Sequence, residues 1–360
     1  MPARILLVVA SLLLSLFIGL TLAKRTGSST DLAGHRLTIG LSLDTLKEAR
    51  WQGDRDMFVK RASELGAQVL VLAANSDDTV QISDVEKLIT KKVDVLVIVP
   101  HDGAAMAKAV HMAHDANIPV IAYDRIIRDS DLDLYVSFDN QRVGALQAQF
   151  LVDHLRTPGH GRIVRIYGAR TDNNSVLIKR GQDQVLAPYI ARGDITVVHE
   201  DWAEDWKLEN AKRIVNAAIT AHGTNFDAVL ASNDSTAGGA IQALTEEGLA
   251  GKMLSTGQDA DLVALQRIAG GTQSMTIYKP LRTLAQGAAE LAAKLAARGV
   301  VVARQTINNG KIDVPAVLYD VVTVTRTNLL DTVVKDGQAS FDDVYRSVPA
   351  AERPARPAAR

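Results

Sequence analysis

The stretch from Ile118 to Arg125, Ile-Pro-Val-Ile-Ala-Tyr-Asp-Arg, ends an apolar run in two adjacent opposite charges. Ile118, Val120, Ile121 and Tyr123 suit a packed, pleated strand. A carboxylate and a guanidinium, Asp124 and Arg125, cannot be left unpaired in such a core. In an open α/β sheet, ligands bind beyond the carboxyl ends of the strands. Taken alone, the dipeptide reads first as a surface ion pair capping a loop.

The arrangement recurs along the chain. Arg50 and Trp51 follow the loop after a first apolar run at Leu37–Leu43. Asp172, Asn173 and Asn174 follow Arg162–Tyr167, and Trp202 and Trp206 follow Ile195–His199. Asn233 and Asp234 follow Ala228–Ala231, Gln258 and Asp259 follow Met253–Thr256, and Lys279 follows Ser274–Tyr278. Every cluster falls at the carboxyl end of an expected strand, whereas independent surface residues would fall at both ends.

The chemistry that this set favours is carbohydrate binding. A sugar hydroxyl both donates and accepts; carboxylates accept, Arg and Lys donate, and Asn does both. Bonds to charged groups are the stronger kind. An indole can cover the apolar C–H face of a pyranose. All three tryptophans lie beside charged residues, with Trp202 the one expected to pack on its own domain. Asp259 is expected to enter the crevice, ionised beside Lys279 and hydrated in the free protein, so that its removal costs affinity rather than stability. Other chemistries lack their motifs: no G-x-G-x-x-G follows the first strand, and there is no phosphate loop and no nucleophile elbow. His111 and His114 read as a solvated helix face, so neither a metal nor a cofactor is expected. Lys279 could form a Schiff base, but its neighbours suit hydrogen bonding equally well.

These residues need a strand–helix alternation to position them. Further strands fit at Gln68–Ala73, Val93–Pro100 and Leu134–Phe138. Helices fit between the strands: at Gln52–Gly66, Val80–Thr90, Ala104–Asn117 and Gln141–Leu155, then at Val176–Ile190, Leu208–Ala221, Thr236–Glu247, Asp261–Ala269 and Leu281–Ala297. Near-continuous apolar strands alternating with helices imply an α/β chain with parallel sheets covered on both faces. Gly66, Gly193 and Gly248 stand where helix C-terminal caps belong. Past Ala297 the rhythm changes: Val300–Thr306 reads as extended, Asn308-Asn309-Gly310 as a turn, and Val317–Val324 as a β-rich run.

Composition bounds the rest. The chain has 360 residues, 47% of them apolar, enough for two cores. A formal net charge of -1 carries no basic footprint for nucleic acid. The absence of cysteine removes disulfides, thiolate metal sites and a lipid-modified Cys. Residues 1–23 read as a signal peptide or an N-terminal membrane anchor: Arg4, then an apolar run to Ala23. Residues 24–35 read as a linker, and 341–360, ending in Pro, Ala and Arg, as a disordered tail.

Seven motifs together carry a resemblance: Arg50-Trp51-Gln52 with Asp54-Arg55-Asp56, Val93 to Ile98, Ala122-Tyr123-Asp124-Arg125, Asp172-Asn173-Asn174, Ala231 to Leu244, Gly257 to Asp261, and Tyr278-Lys279-Pro280. On these the chain, from Leu37 to Gly337, resembles the periplasmic sugar-binding proteins of ABC transporters, type I fold. The resemblance implies two Rossmann-like lobes with parallel sheets, joined by a three-segment hinge near Phe138–Gln141, Lys279–Leu281 and Ile307–Lys311. The lobes would be 36–140 with 281–308, and 141–280 with 309–340. It further implies that Arg50, Asp124, Arg125, Asp172, Asn174, Asn233, Asp259 and Lys279 hydrogen-bond a monosaccharide, D-xylose first, and that Trp51 and Trp206 sandwich it. The expected protein is a periplasmic monomer, not an enzyme, that delivers the sugar to an inner-membrane permease. A membrane-anchored sensor of the same fold and an enzyme acting on a pentose are the alternatives. A sugar-responsive repressor would need a helix-turn-helix before the core, and the apolar N-terminus has none.

Overall fold

A computed structural model describes residues 36–47 and 49–356. The expectations for 1–23 and 24–35 lie outside the described residues. The chain alternates strand and helix: β1 (Thr38–Leu43), α1 (Ala49–Glu64), β2 (Gln68–Ala73), α2 (Asp78–Thr90), β3 (Val95–Ile98), α3 (Ala107–Asp115), β4 (Val120–Tyr123) and β5 (Leu134–Phe138). There follow α4 (Asn140–His154), β6 (Gly161–Tyr167), α5 (Asn173–Ala191), β7 (Ile195–Trp202), α6 (Leu208–His222), β8 (Ala228–Ala231), α7 (Asp234–Glu246), β9 (Leu254–Ser255), α8 (Leu262–Gly270) and β10 (Met275–Tyr278). Helix α9 (Leu281–Ala296) and strands β11 (Gln305–Asn308), β12 (Asp313–Tyr319) and β13 (Val322–Thr325) come next.

The first sheet has the order β11-β12-β5-β4-β3-β1-β2. All its pairings are parallel except the β11–β12 hairpin. The second has the parallel order β7-β6-β8-β9, and β10 pairs antiparallel with β13 beside it. Strand residues point alternately to two apolar layers. Ile39, Leu41, Leu43, Val95 and Val97 pack with Phe58 and Ala62 of α1 and with Leu284, Ala288 and Ala292 of α9. Leu96, Ile98, Val120 and Ala122 pack on the other side with Val85, Leu88, Ala109 and Val110. Burial on both faces is why these strands read as continuous apolar runs. Gly66, Gly193 and Gly248 end their helices at φ 80°, 77° and 67°, a conformation that costs glycine little.

The chain passes between the lobes at Asp139, at Lys279–Pro280 and at Asp320–Val321. The third passage corrects the expected one at Ile307–Lys311, and with it the assignment of residues 309–319. Asn309 and Gly310 form the turn of the β11–β12 hairpin, with Gly310 at φ 101°. The Asn309 side-chain amide donates to Ile127 O (3.1 Å) and Ser130 O (2.9 Å) of the first lobe. Val314 and Ala316 lie in the first lobe's core. The run Val317–Val324 is therefore two strands in different sheets, divided at Asp320–Val321, where Asp320 is the one charged residue of the run.

The expected disordered tail at 341–360 is also corrected over 341–356, while 357–360 lie outside the described residues. Residues 341–344 form a short helix, α10 (Phe341–Val344). Val344, Tyr345 and Val348 are buried against Leu265, Ile268 and Leu329 of the second lobe. Four apolar residues among eight positions supply a docking face that the Pro/Ala/Arg ending obscures.

Candidate functional site

Between the lobes lies a cleft of about 620 Å³. All ten residues expected at the site line it: Arg50, Trp51, Asp124, Arg125, Asp172, Asn174, Trp206, Asn233, Asp259 and Lys279. Trp202 does not; it packs on Tyr167 of its own lobe, ring centroids 4.9 Å apart, with Arg170 above it.

Arg50 is the centre of the charge network. It lies in the first turn of α1 rather than in the preceding loop, since the helix starts before the expected Gln52. That register sets Asp54 one turn on, with its carboxyl 3.5 Å from the Arg50 Nε. Arg50 also donates to Asp124 of its own lobe and, at 3.3 Å, to Asp259 of the other. Lys279, on the second crossover, places its ammonium 3.1 Å from Asp259 and donates to Gln258 Oε1 at 3.3 Å. Asp259 projects from a turn in which it has φ 96° and Ala260 φ 54°.

A second set of contacts runs through Arg125. Its guanidinium holds Asp44 (2.8 Å) of the first lobe and Asp172 (3.1 Å) of the second. Asp44 also faces His101 Nδ1 at 3.0 Å. Asn174 donates to the Asp124 carboxylate (3.1 Å) across the cleft. Its side-chain oxygen accepts from Asn140 at 2.9 Å. Asp172 and Asn233 are the N-caps of α5 and α7, accepting from Asn174 N and Thr236 N. A capping role and a place in the cleft coincide here, because a helix that starts at a strand's carboxyl end presents its cap to the crevice.

The two indoles differ. Trp51 is 5% exposed, joins the first lobe's core and has the Arg50 guanidinium 4.3 Å and that of Arg125 5.3 Å from its ring centre. Trp206 is half-buried at φ 59°, its indole N–H donating to Asp172 at 3.2 Å. A Cβ at Gly168 would lie 2.2 Å from the Trp206 ring, so the glycine lets the indole lie flat on the end of β6.

Electrostatics follow burial and partners. Burial would raise Asp124, but Arg50 and Lys279 hold it below the usual carboxylate range. Burial likewise opposes, and His101 and Arg125 outweigh, in Asp44, which is also lowered. Asp172 is raised by burial despite Arg125. Burial pushes Asp54 up to about 7, with Arg50 only partly offsetting it. Asp261, at the cleft mouth, rises to about 6 through desolvation by the cleft wall and the charge of Asp259.

Asp54 carries a pH prediction. Its unfolded pKa lies near the ordinary value of about 3.9. Between that value and about 7 the folded chain keeps a proton that the unfolded chain has lost. Stability from this group is thus full below the window and lost as pH rises through it. Asp44 and Asp124 act oppositely, their contribution being lost as pH falls. Urea denaturation at about pH 5 and about pH 8 should show wild type losing roughly 1–4 kcal/mol relative to Asp54→Asn on the way up. Parallel behaviour of the two proteins would refute the assignment.

Asp44, Asp54, His101 and Asp261 were not singled out in the sequence as site residues. Asp44 and His101 follow β1 and β3, so the rule that found Asp124 reaches them too. Asp54 shows only by its spacing from Arg50 once both are on one helix.

Known proteins resemble this chain over most of its length. The periplasmic binding protein domain family matches residues 39–299. The chain is 46% identical to the D-xylose-binding periplasmic protein of Haemophilus influenzae, over 94% of this chain and 99% of the relative. It is 47% identical to that of Escherichia coli, over 86% and 93%. Among solved structures, a carbohydrate transporter solute-binding protein from Chloroflexus aurantiacus in complex with D-glucose superposes with a TM-score of 0.81. It shares 36% identity, covering 86% of this chain and 98% of that one.

Proposed function

This chain belongs to the periplasmic binding protein domain family, and from that membership we propose that it captures a monosaccharide, D-xylose first, in the cleft between its lobes and delivers it to an ABC importer. The observation that carries the reading is the cleft wall itself. Carboxylates from both lobes, Asp124, Asp172 and Asp259, face guanidinium, ammonium and amide donors at hydrogen-bond distance, with an indole beside them. A neutral polyol can engage both kinds of group at once. The direct recognition set is the ten residues named above, with Trp51 and Trp206 as the apolar walls. The relatives named for D-xylose favour the pentose over other sugars.

The protein works by binding and release, without turnover, as a monomer exported to the periplasm. Its partner is a permease in the inner membrane. Closure about the three crossovers accompanies binding, since a ligand that contacts both lobes favours the state in which they meet.

Calorimetric titration of residues 31–360 against pentoses and hexoses should give the tightest binding for D-xylose, and small-angle scattering of the same samples should show a smaller radius when saturated. Absence of binding to any monosaccharide overturns the reading. Tighter binding of another sugar overturns the pentose. An unchanged radius at confirmed saturation overturns the closure.

A further inference from the structure

The turn from Gly257 to Asp261 delivers Asp259 to the cleft, and it does so in an unfavourable backbone. Asp259 and Ala260 are consecutive non-glycine residues at positive φ, 96° and 54°. Such a conformation persists only where surrounding contacts over-determine it. Part of the support is backbone from β10: Asp259 N–H donates to Ile277 O at 2.8 Å, and Ile277 N–H donates to Gly257 O at 3.1 Å. The side-chain contacts centre on one residue of another element. Asp234, the first residue of α7, is 2% exposed. Its Oδ2 accepts from the Asp261 N–H at 3.0 Å and from Thr276 Oγ1 at 2.9 Å. Its Oδ1 accepts from Gln273 Nε2 at 2.8 Å, and its own N–H donates to Gln258 O at 3.0 Å. Thr276 Oγ1 in turn accepts from Ala260 N at 3.3 Å. A Cβ at Gly257 would lie 2.0 Å from Asp234 Oδ1, so the carboxyl is seated directly on the turn's backbone.

Asp234 touches the cleft wall, yet its oxygens are engaged, Oδ2 by the turn and by Thr276 of β10, and Oδ1 by Gln273 just before β10. It is thus the buried polar group that grips the turn on either side of Asp259. We propose that Asp234 is a positioning residue for sugar recognition: it fixes the 257–261 turn so that the Asp259 carboxylate stands at Arg50 and Lys279, where the ligand meets it. The inference rests on the sugar-binding reading and adds to it a residue that binds no sugar itself. Thr276 acts in the same path, since its hydroxyl joins Asp234 to Ala260.

A double-mutant cycle separates this role from a general structural one. D-xylose affinity is measured by calorimetry on wild type, Asp234→Ala, Asp259→Asn and the double variant, each checked for folding by circular dichroism. Asp234→Ala is expected to weaken binding about tenfold in the wild-type background, and by no more than about twofold once Asp259 is already neutral. Thr276→Val, which keeps the shape and removes one hydroxyl, should repeat the pattern on a smaller scale and stands in if Asp234→Ala does not fold. Unchanged affinity in folded Asp234→Ala, or an equal loss in both backgrounds, overturns the inference while leaving the function intact. A wild-type protein that binds no monosaccharide overturns the function, and the inference with it.

Discussion

Arg50→Met should abolish measurable sugar binding and lower folding stability by about 3–5 kcal/mol, the scale for removing one partner from a buried ion network. Arg50 is shared by three carboxyls, Asp54, Asp124 and Asp259, from two lobes. Its side chain is 10% exposed, and those of Asp54 and Asp124 are 2% and 3% exposed. Methionine fills similar volume, so packing survives and the loss is electrostatic. Without the guanidinium, the carboxyls are left with Lys279 as the cation nearest to Asp259. They would regain neutrality only by taking up protons, so the variant should recover part of its deficit as pH falls, unlike a packing defect. Denaturation of both proteins across pH, with calorimetry at neutral pH, reads both effects. A pH-independent deficit would assign Arg50 to packing, and retained affinity would remove it from the site.

Asp259→Asn should weaken D-xylose binding about ten- to two-hundred-fold, the equivalent of about 1.5–3 kcal/mol for hydrogen bonds to a charged group. Asparagine is preferred to alanine because it tolerates the residue's φ of 96°. By sequence alone Asp259 reads as a hydrated carboxylate whose removal leaves the stability of the free protein little changed or raised. The structure corrects that expectation. Asp259 is 8% exposed and holds the ammonium of Lys279, itself 1% exposed. Neutralising it leaves a buried cation with Gln258 as its remaining hydrogen-bond partner among those described. The melting temperature of the unliganded protein should therefore fall together with the affinity. Wild-type affinity in the folded variant would exclude Asp259 from recognition, whatever the melting temperature does.

The elements were legible because their signals are local. Apolar runs such as Val95–Ile98 and Val120–Tyr123 are buried on both faces and so show no charged interruption. Helix ends were marked by Gly66, Gly193 and Gly248, each at positive φ. Where two outcomes share one composition, the sequence does not distinguish them. Val317–Val324 is β-rich on both sides of Asp320, and that single charge does not tell an interruption from a change of sheet; the chain changes sheets there because Val317 pairs with Val136 and Val324 with Thr276. The last twenty residues looked polar and proline-rich, yet Val344, Tyr345 and Val348 find a partner surface that exists only once α8 has folded.

The sequence by itself determined which residues would meet. Strand–helix alternation places every strand's carboxyl end on one side of its sheet, so Arg50, Asp124, Asp172, Asn233, Asp259 and Lys279 had to converge if the two sheets face each other. Their chemical types, acceptors and donors beside indoles, already pointed to a polyhydroxylated ligand. What only the tertiary structure decided is which charge answers which. Arg50 reaches Asp259 across 209 positions of chain, and Arg125 divides itself between Asp44 and Asp172. Such pairings depend on side-chain reach within a few tenths of an ångström, and no local pattern encodes them. The same holds for the grip of Asp234 on the strained turn and for the burial that lifts Asp54 to about 7. The first arises from how the packed elements align donors on one carboxyl and the second from how much water they exclude, both properties of the assembled lobes rather than of any segment.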